Sequence, residues 1–265
     1  VQVHSLPVEP QPAPCATIPA VSVSGDLGWY VLGYGGFRSG TGVALRHRVL
    51  PAVAAVLVID VDSGEAVVTG PRTRALLAAE RWGHGVTVGL TPAGVAAVLG
   101  MPMGEVAETI VPFDSPGLVE MLATTDAWAA RFAILDGWMR RTAREANYPA
   151  DTRLVAAWKR LQRSGPTGVD EAAALLGVRR RRLEQAFRQY VGVAPGSVAR
   201  VARFQRAAGM LAGQVTLGRV AAECGYADQP HLTREVRAMS GCTPAELRQH
   251  LHAAQSFKTS TAILS

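Results

Sequence analysis

The chain has 265 residues, 48% of them hydrophobic, enough for two domains of ordinary size with buried cores. Its formal charge of +6 is unevenly placed: residues 1–150 carry 10 Arg against 13 Asp or Glu, a net of −3, whereas residues 151–252 carry 16 Lys or Arg against 8 acids, a net of +8. That asymmetry fits a nucleic-acid-binding module joined to a mildly acidic domain, and the absence of a long apolar run excludes a membrane-spanning segment.

Residues 1–24 are predicted to form an extended segment, set against the first domain or mobile, because Pro7, Pro10, Pro12 and Pro14 interrupt any regular element. The segment holds no continuous apolar stretch of the kind a signal peptide needs, so the chain is expected to be cytoplasmic, with no membrane partner. From 25 to 147 the reading is a β-rich domain with appended helices. Strands are predicted over 29–34, 43–49, 52–61, 65–69, 74–79 and 85–90. Turns are expected at Gly35-Gly36, at Asp62-Ser63-Gly64 and at Gly70-Pro71. The spacing favours a small antiparallel sandwich or barrel, which makes the whole chain α+β.

Thr91-Pro92 reads as a helix N-cap followed by proline at the first helical position, with the helix ending at Gly100. Short helices follow over 103–109 and 118–123, and a longer one capped by Asp126 runs to about residue 144. On it Trp128, Phe132, Leu135 and Met139 form a narrow apolar seam, which serves either as a dimerisation surface or as packing on the domain's own sheet. Asn147-Tyr148-Pro149 reads as a linker. A helix over 153–163 opens the second domain, at 151–252, and Ser164-Gly165-Pro166 leads on from it; a tail occupies 253–265.

The second domain contains one unit written twice. Val169, Ala172, Ala173, Leu176 and Gly177-Val178 are matched by Leu217, Val220, Ala221, Cys224 and Gly225-Tyr226. Leu183 and Phe187 correspond to Leu232 and Val236, and Gly192-x-x-Pro195 returns as Gly241-x-x-Pro244. In each copy apolar residues at i, i+3, i+4 and i+7 make one buried helical face, glycine stops the helix, and a second amphipathic helix starts a few residues later. This is the pattern of a helix-turn-helix, whose second helix enters the major groove.

These residues, together with Arg203-Phe204, Ala207 and Leu211 between the copies and Gly241-Cys242-Thr243-Pro244 ahead of Arg248, resemble the tandem DNA-binding domain of the AraC/XylS family of bacterial transcription regulators. Departures are Val236, where the family usually has Phe, Arg179, where it often has Ser, and Pro230 within the second recognition helix. The run from Val86 to Gly94 also resembles a phrase of actinobacterial regulators of this type. The resemblance implies a sensing domain ahead of the DNA-binding domain, double-stranded DNA and RNA polymerase as partners, activation of transcription, and no cofactor.

Carried over position by position, the resemblance implies base contacts from Arg181, Glu184 and Gln185 in a first recognition helix over 179–190, with Arg180, Arg182 and Arg188 nearer the phosphates. In the second helix it implies contacts from Gln229, His231, Thr233 and Arg234, with Arg237 on phosphate. Arginine, glutamine and glutamate can each read a base edge in the major groove. The connecting helix, over 196–212, would span roughly 25 Å at ~1.5 Å per residue. That length sets the recognition helices about one DNA turn apart.

Three readings of the first domain stand open. It senses a small molecule, with Trp29, Tyr30, Tyr34 and Phe37 lining an apolar cavity; it makes homodimers through the Trp128 seam; or it is an enzyme or metal-binding barrel fused to the DNA-binding module. The sequence disfavours the third, because His47 and His84 stand singly, His4 lies in the first segment, and Cys15 has no neighbouring base. Cys224 and Cys242 take apolar positions in the duplicated pattern and read as core. No metal site or catalytic residue is assigned.

Overall fold

The computed structural model describes residues 4–8, 16–21, 23, 25–39, 42–147, 151–164 and 168–255. Cys15, Tyr148-Pro149 and Gly165-Pro166 lie outside these. Two antiparallel sheets form the first part. The larger has the order β2 (Ala16–Val21), β3 (Val31–Arg38), β8 (His84–Leu90), β5 (Ala55–Asp60), β6 (Ala66–Thr69), β9 (Ile110–Pro112); the smaller has β1 (Ser5–Pro7), β4 (Leu45–Val49), β7 (Leu76–Trp82). The α+β sandwich expected from the strand spacing is therefore present. Segments of the proline-rich start supply β1 and β2, each paired with a neighbour.

The apolar run at 52–61 becomes β5 because both of its faces are covered. Ala55, Leu57 and Ile59 face the main apolar interior, while Val56 and Val58 join a smaller cluster with Val49, Val67, Ala78 and Trp82 between the sheets. The turn after β5 is fixed by the buried Asp60 carboxylate, which accepts from the backbone N–H of Asp62 and Ser63, each at 3.0 Å, and of Gly83 at 2.5 Å.

Three expectations are corrected. Gly35-Gly36 is no turn: β3 runs straight through it, Gly36 pairing with Val86. The glycine is there because the indole of Trp128 occupies the space where a Cβ would point. The segment 103–109 is helical only as a 3-10 turn over Met103–Val106, since Glu108 adopts a left-handed φ of 59° and reverses the chain into β9. Helix α3 (Trp128–Glu145) takes Ala127 rather than Asp126 as its N-cap.

Helices α1 (Pro92–Leu99) and α2 (Pro116–Ala123) precede α3. In α1 the cap is as the sequence suggested: Thr91 Oγ1 accepts from Gly94 N at 3.1 Å and Gly100 closes at φ 68°. The dimerisation reading of the α3 seam is also corrected, because the chain itself covers it. Phe132, Leu135 and Met139 are buried, and Phe132 stacks 6.3 Å from Tyr34 of β3.

Helices α4 (Thr152–Ser164), α5 (Gly168–Leu176), α6 (Arg180–Tyr190), α7 (Pro195–Leu211), α8 (Leu217–Cys224), α9 (Gln229–Ser240) and α10 (Pro244–Gln255) form the second part. They sit on the buried segment around Val53. Trp158 Nε1 of α4 donates to Val53 O at 3.2 Å, and Gln205 Nε2 of α7 donates to Pro51 O at 2.6 Å. The apolar interior runs without a break from the large sheet into the helices, where two separate cores were expected.

Candidate nucleic-acid interface

Each repeat folds into the same corner. Val169, Ala172 and Ala173 are buried on α5, Gly177 turns at φ 64°, and Val178 N donates back to Ala173 O at 3.0 Å. In the second copy Val220, Ala221 and Cys224 are buried on α8, Gly225 turns at φ 75°, and Tyr226 N donates to Ala221 O at 2.9 Å. Both glycines take the left-handed conformation that a helix stop requires and a Cβ disfavours. The duplication visible in the letters is thus a duplication of hydrogen bonds.

The second helix of each corner is held by its apolar side and shows the other to solvent. On α6, Leu183 and Phe187 are buried, whereas Arg180, Arg181, Arg182, Gln185 and Arg188 are exposed. Glu184 is half-buried, with Oε1 3.5 Å from Arg180 Nε one turn back. On α9, Leu232, Val236 and Met239 are buried and Gln229, Arg234 and Arg237 are exposed. Pro230 lies in the first turn, where its missing N–H breaks no helical bond, and Asp228 caps that turn by accepting from His231 N at 2.6 Å.

Two candidates on α9 have internal duties. The His231 ring meets Tyr226 edge-on at 5.3 Å and its Nδ1 accepts from Ala227 N at 3.3 Å. Thr233 Oγ1 donates to Gln229 O at 3.0 Å.

One buried anion fastens α9, and the sequence reading passed over it. Glu235 is 8% exposed and receives Arg203 through Nη2 at 2.8 and 3.0 Å and Nε at 3.2 Å, with Arg200 Nε also at 3.2 Å. The Arg203 guanidinium lies 4.7 Å from the centre of the Tyr226 ring. Burial alone would lower the pKa of Arg203, but the hydrogen bonds and charge of Glu235 outweigh it and raise that pKa. A glutamate in the apolar row Leu232, Val236, Met239 was the available signal, since a charge on a buried face requires a partner.

The four aromatics assigned to an effector cavity do not share one. Tyr34 is buried under α3, its OH 3.5 Å from Asp136 Oδ1; Phe37 packs on the cluster between the sheets; Tyr30 is half-buried at the start of β3; Trp29 lies at the surface beside Lys159. The histidines are less solitary than the sequence implied. His4 and His47 flank Trp82, with ring centres 6.1 and 5.1 Å away, and His4 Nε2 is 2.9 Å from Thr69 Oγ1. Burial lowers the pKa of His47 to about 4, and burial with the nearby His47 and Arg72 lowers that of His4 to about 3.

His84 lies among Asp62, Arg131 and Arg38 at 3.1, 2.7 and 3.1 Å. Among the described residues no three of His, Cys, Asp and Glu converge as a metal site would need. Nor is any helix among them long and apolar enough to cross a membrane. Cys224 and Cys242 are both buried.

Two helix-turn-helix corners joined through α7 define a tandem helix-turn-helix module. Within it, residues 172–250 match the family described as "Helix-turn-helix domain". The chain is 32% identical over 95 residues to the HTH-type transcriptional regulator ArgR of Pseudomonas aeruginosa, a match covering 36% of this chain and 29% of that regulator's length. An AraC-type DNA-binding domain protein of Chromobacterium violaceum is 28% identical, over 38% of this chain and 92% of its own, with a TM-score of 0.36. An apo form of ToxT of Vibrio cholerae is 11% identical over 93% of this chain and 96% of its own, with a TM-score of 0.45.

Proposed function

We propose that the chain is a sequence-specific DNA-binding transcription regulator, whose α6 and α9 enter successive major grooves of one duplex. The observation that supports this best is the repeated corner, each copy burying one face of its second helix and offering solvent a face of arginine and amide side chains. In this reading Arg181, Glu184 and Gln185 read bases from α6, and Gln229 and Arg234 read them from α9, with His231 and Thr233 shaping the latter's first turns. Arg180, Arg182, Arg188 and Arg237 neutralise phosphates, so affinity falls steeply with salt.

Residues 151–252 act as the DNA-binding unit and 25–147 as a sensing unit that controls it through the shared interior. Activation through RNA polymerase is the expected output, in the cytoplasm, with no catalytic step. Homodimerisation would use a surface other than the covered α3 seam.

Selection of binding sites from random duplexes tests the reading, run with the native chain and with Arg181→Ala and Arg234→Ala. Each variant is expected to relax preference at its own positions, in different halves of the site. Unchanged preferred motifs in both variants would overturn the contact assignment, and failure of the native chain to enrich any motif would overturn the regulator reading.

A further inference from the structure

Two exposed apolar side chains, Trp29 at 37% and Leu175 at 51%, line one cleft between the two parts of the chain. Trp29 ends the 3-10 turn Gly25–Trp29 just before β3; Leu175 comes from the first helix of the first corner; and α4 supplies Ala156, Lys159, Arg160 and Arg163. The cleft measures about 450 Å³, within the range of small-molecule sites. Single exposed apolar residues need no explanation. A pair lining one concavity at a domain junction is a different matter.

The polar side of the cleft is cationic. Arg160 is committed to Glu171 at 2.6 Å, but Lys159 and Arg163 make no ion pair among the described residues. Lys159 Nζ donates to Gly28 O at 2.7 Å and lies 5.4 Å from the centre of the Trp29 ring. An ammonium has three donors, so two remain for another acceptor. Burial first, and the charge of Arg163 second, lower the Lys159 pKa, the mark of a cation short of a counter-charge.

We propose that this cleft binds an organic anion with a flat apolar body, of the aromatic carboxylate class. The ring system would lie along Trp29 and Leu175, and the carboxylate would meet Lys159 and Arg163. Such a ligand would tie the turn ahead of β3 to α4 and α5, bracing the first recognition corner on the β-rich part. The site deepens the sensing half of the proposed function and rests on it.

The probe is 2-naphthoate, titrated into the full chain by calorimetry, with 2-naphthylmethanol as the uncharged isostere. The native chain is expected to bind one equivalent of naphthoate, and the alcohol about tenfold more weakly, because charge-assisted hydrogen bonds are about twice as strong as neutral ones. Arg163→Gln should weaken naphthoate binding about fivefold, losing part of that charge assistance. Leu175→Asp should abolish it by placing an anion in the apolar wall. Both positions are exposed, so the variants should melt with the native chain.

Equal binding of acid and alcohol, native-like binding by both variants, or no saturable binding overturns the site. DNA affinity is measured on the same preparations. Intact DNA binding without naphthoate binding defeats this site alone, whereas naphthoate binding without DNA binding defeats the regulator reading and leaves the cleft standing.

Discussion

Arg48, on the small sheet, donates from Nη1 to the carbonyl of Ser240, the last residue of α9, at 2.9 Å. Beside it Ala75 N donates to Met239 O at 2.7 Å. The last carbonyls of a helix have no partners within it, and here the first domain provides two. The α6 end is held as well, with Gly104 so close under Gln189 O that a side chain there would collide. Both α6 and α9 thus end on the β-rich part, the contact through which the proposed sensing unit would act on them.

Removing the first of these ties with Arg48→Met should cost about 1.5–3 kcal/mol, the scale of one hydrogen bond from a charged group. Hydrogen exchange should speed up in the last turn of α9 while the Tyr226 corner stays protected. Unchanged exchange at residues 237–241 would show that Ala75 alone holds the helix end.

Glu235→Gln leaves the Arg200 and Arg203 guanidinium groups facing a neutral amide. With Glu235 only 8% exposed, breaking this pair should destabilise the fold by about 2–4 kcal/mol, read by urea unfolding. A double-mutant cycle with Arg203→Met should give a coupling above about 1 kcal/mol, and additive costs would mean the contact contributes little.

The folded-state pKa of His47, about 4, lies below its ordinary value of 6.5. The unfolded chain therefore binds more protons between these values, so this contribution to stability is complete above pH 6.5 and drains away as pH falls toward 4. From pH 7.5 to pH 5 the loss from this histidine is roughly 2 kcal/mol. His47→Asn should flatten that part of the stability profile in denaturant titrations, and an identical slope in both proteins would contradict the assignment.

At Gly36 the indole of Trp128 leaves no room for a Cβ. Gly36→Ala should lower stability by about 1–3 kcal/mol through overpacking and alter the tryptophan fluorescence. Adding Trp128→Ala should recover part of the loss.

On DNA, Arg182→Ala should weaken binding alike for all sequences and reduce the salt slope by about one, whereas Arg181→Ala should cost about 1–3 kcal/mol on the preferred site only. Filter binding or fluorescence anisotropy across a salt series separates the two, and the opposite pattern would exchange their roles.

The sequence by itself determined what depends on neighbours in the chain. Glycine at 177 and 225, each ending an apolar helical face, dictates two corners, because the left-handed stop and the helical period are local properties. Thr91-Pro92 dictates a helix start for the same reason. Only the tertiary structure decided which side chains meet across long separations. Trp128 fills the space above Gly36, so a glycine pair that reads as a turn becomes strand. Phe132 meets Tyr34, so a seam that could join two molecules is used within one. His4 and His47 come together because β1 and β4 are paired, and the Trp29 cleft exists because α4 lies beside a turn more than a hundred residues earlier. Periodicity specifies that a face must be covered, and what covers it depends on the packing of the whole chain.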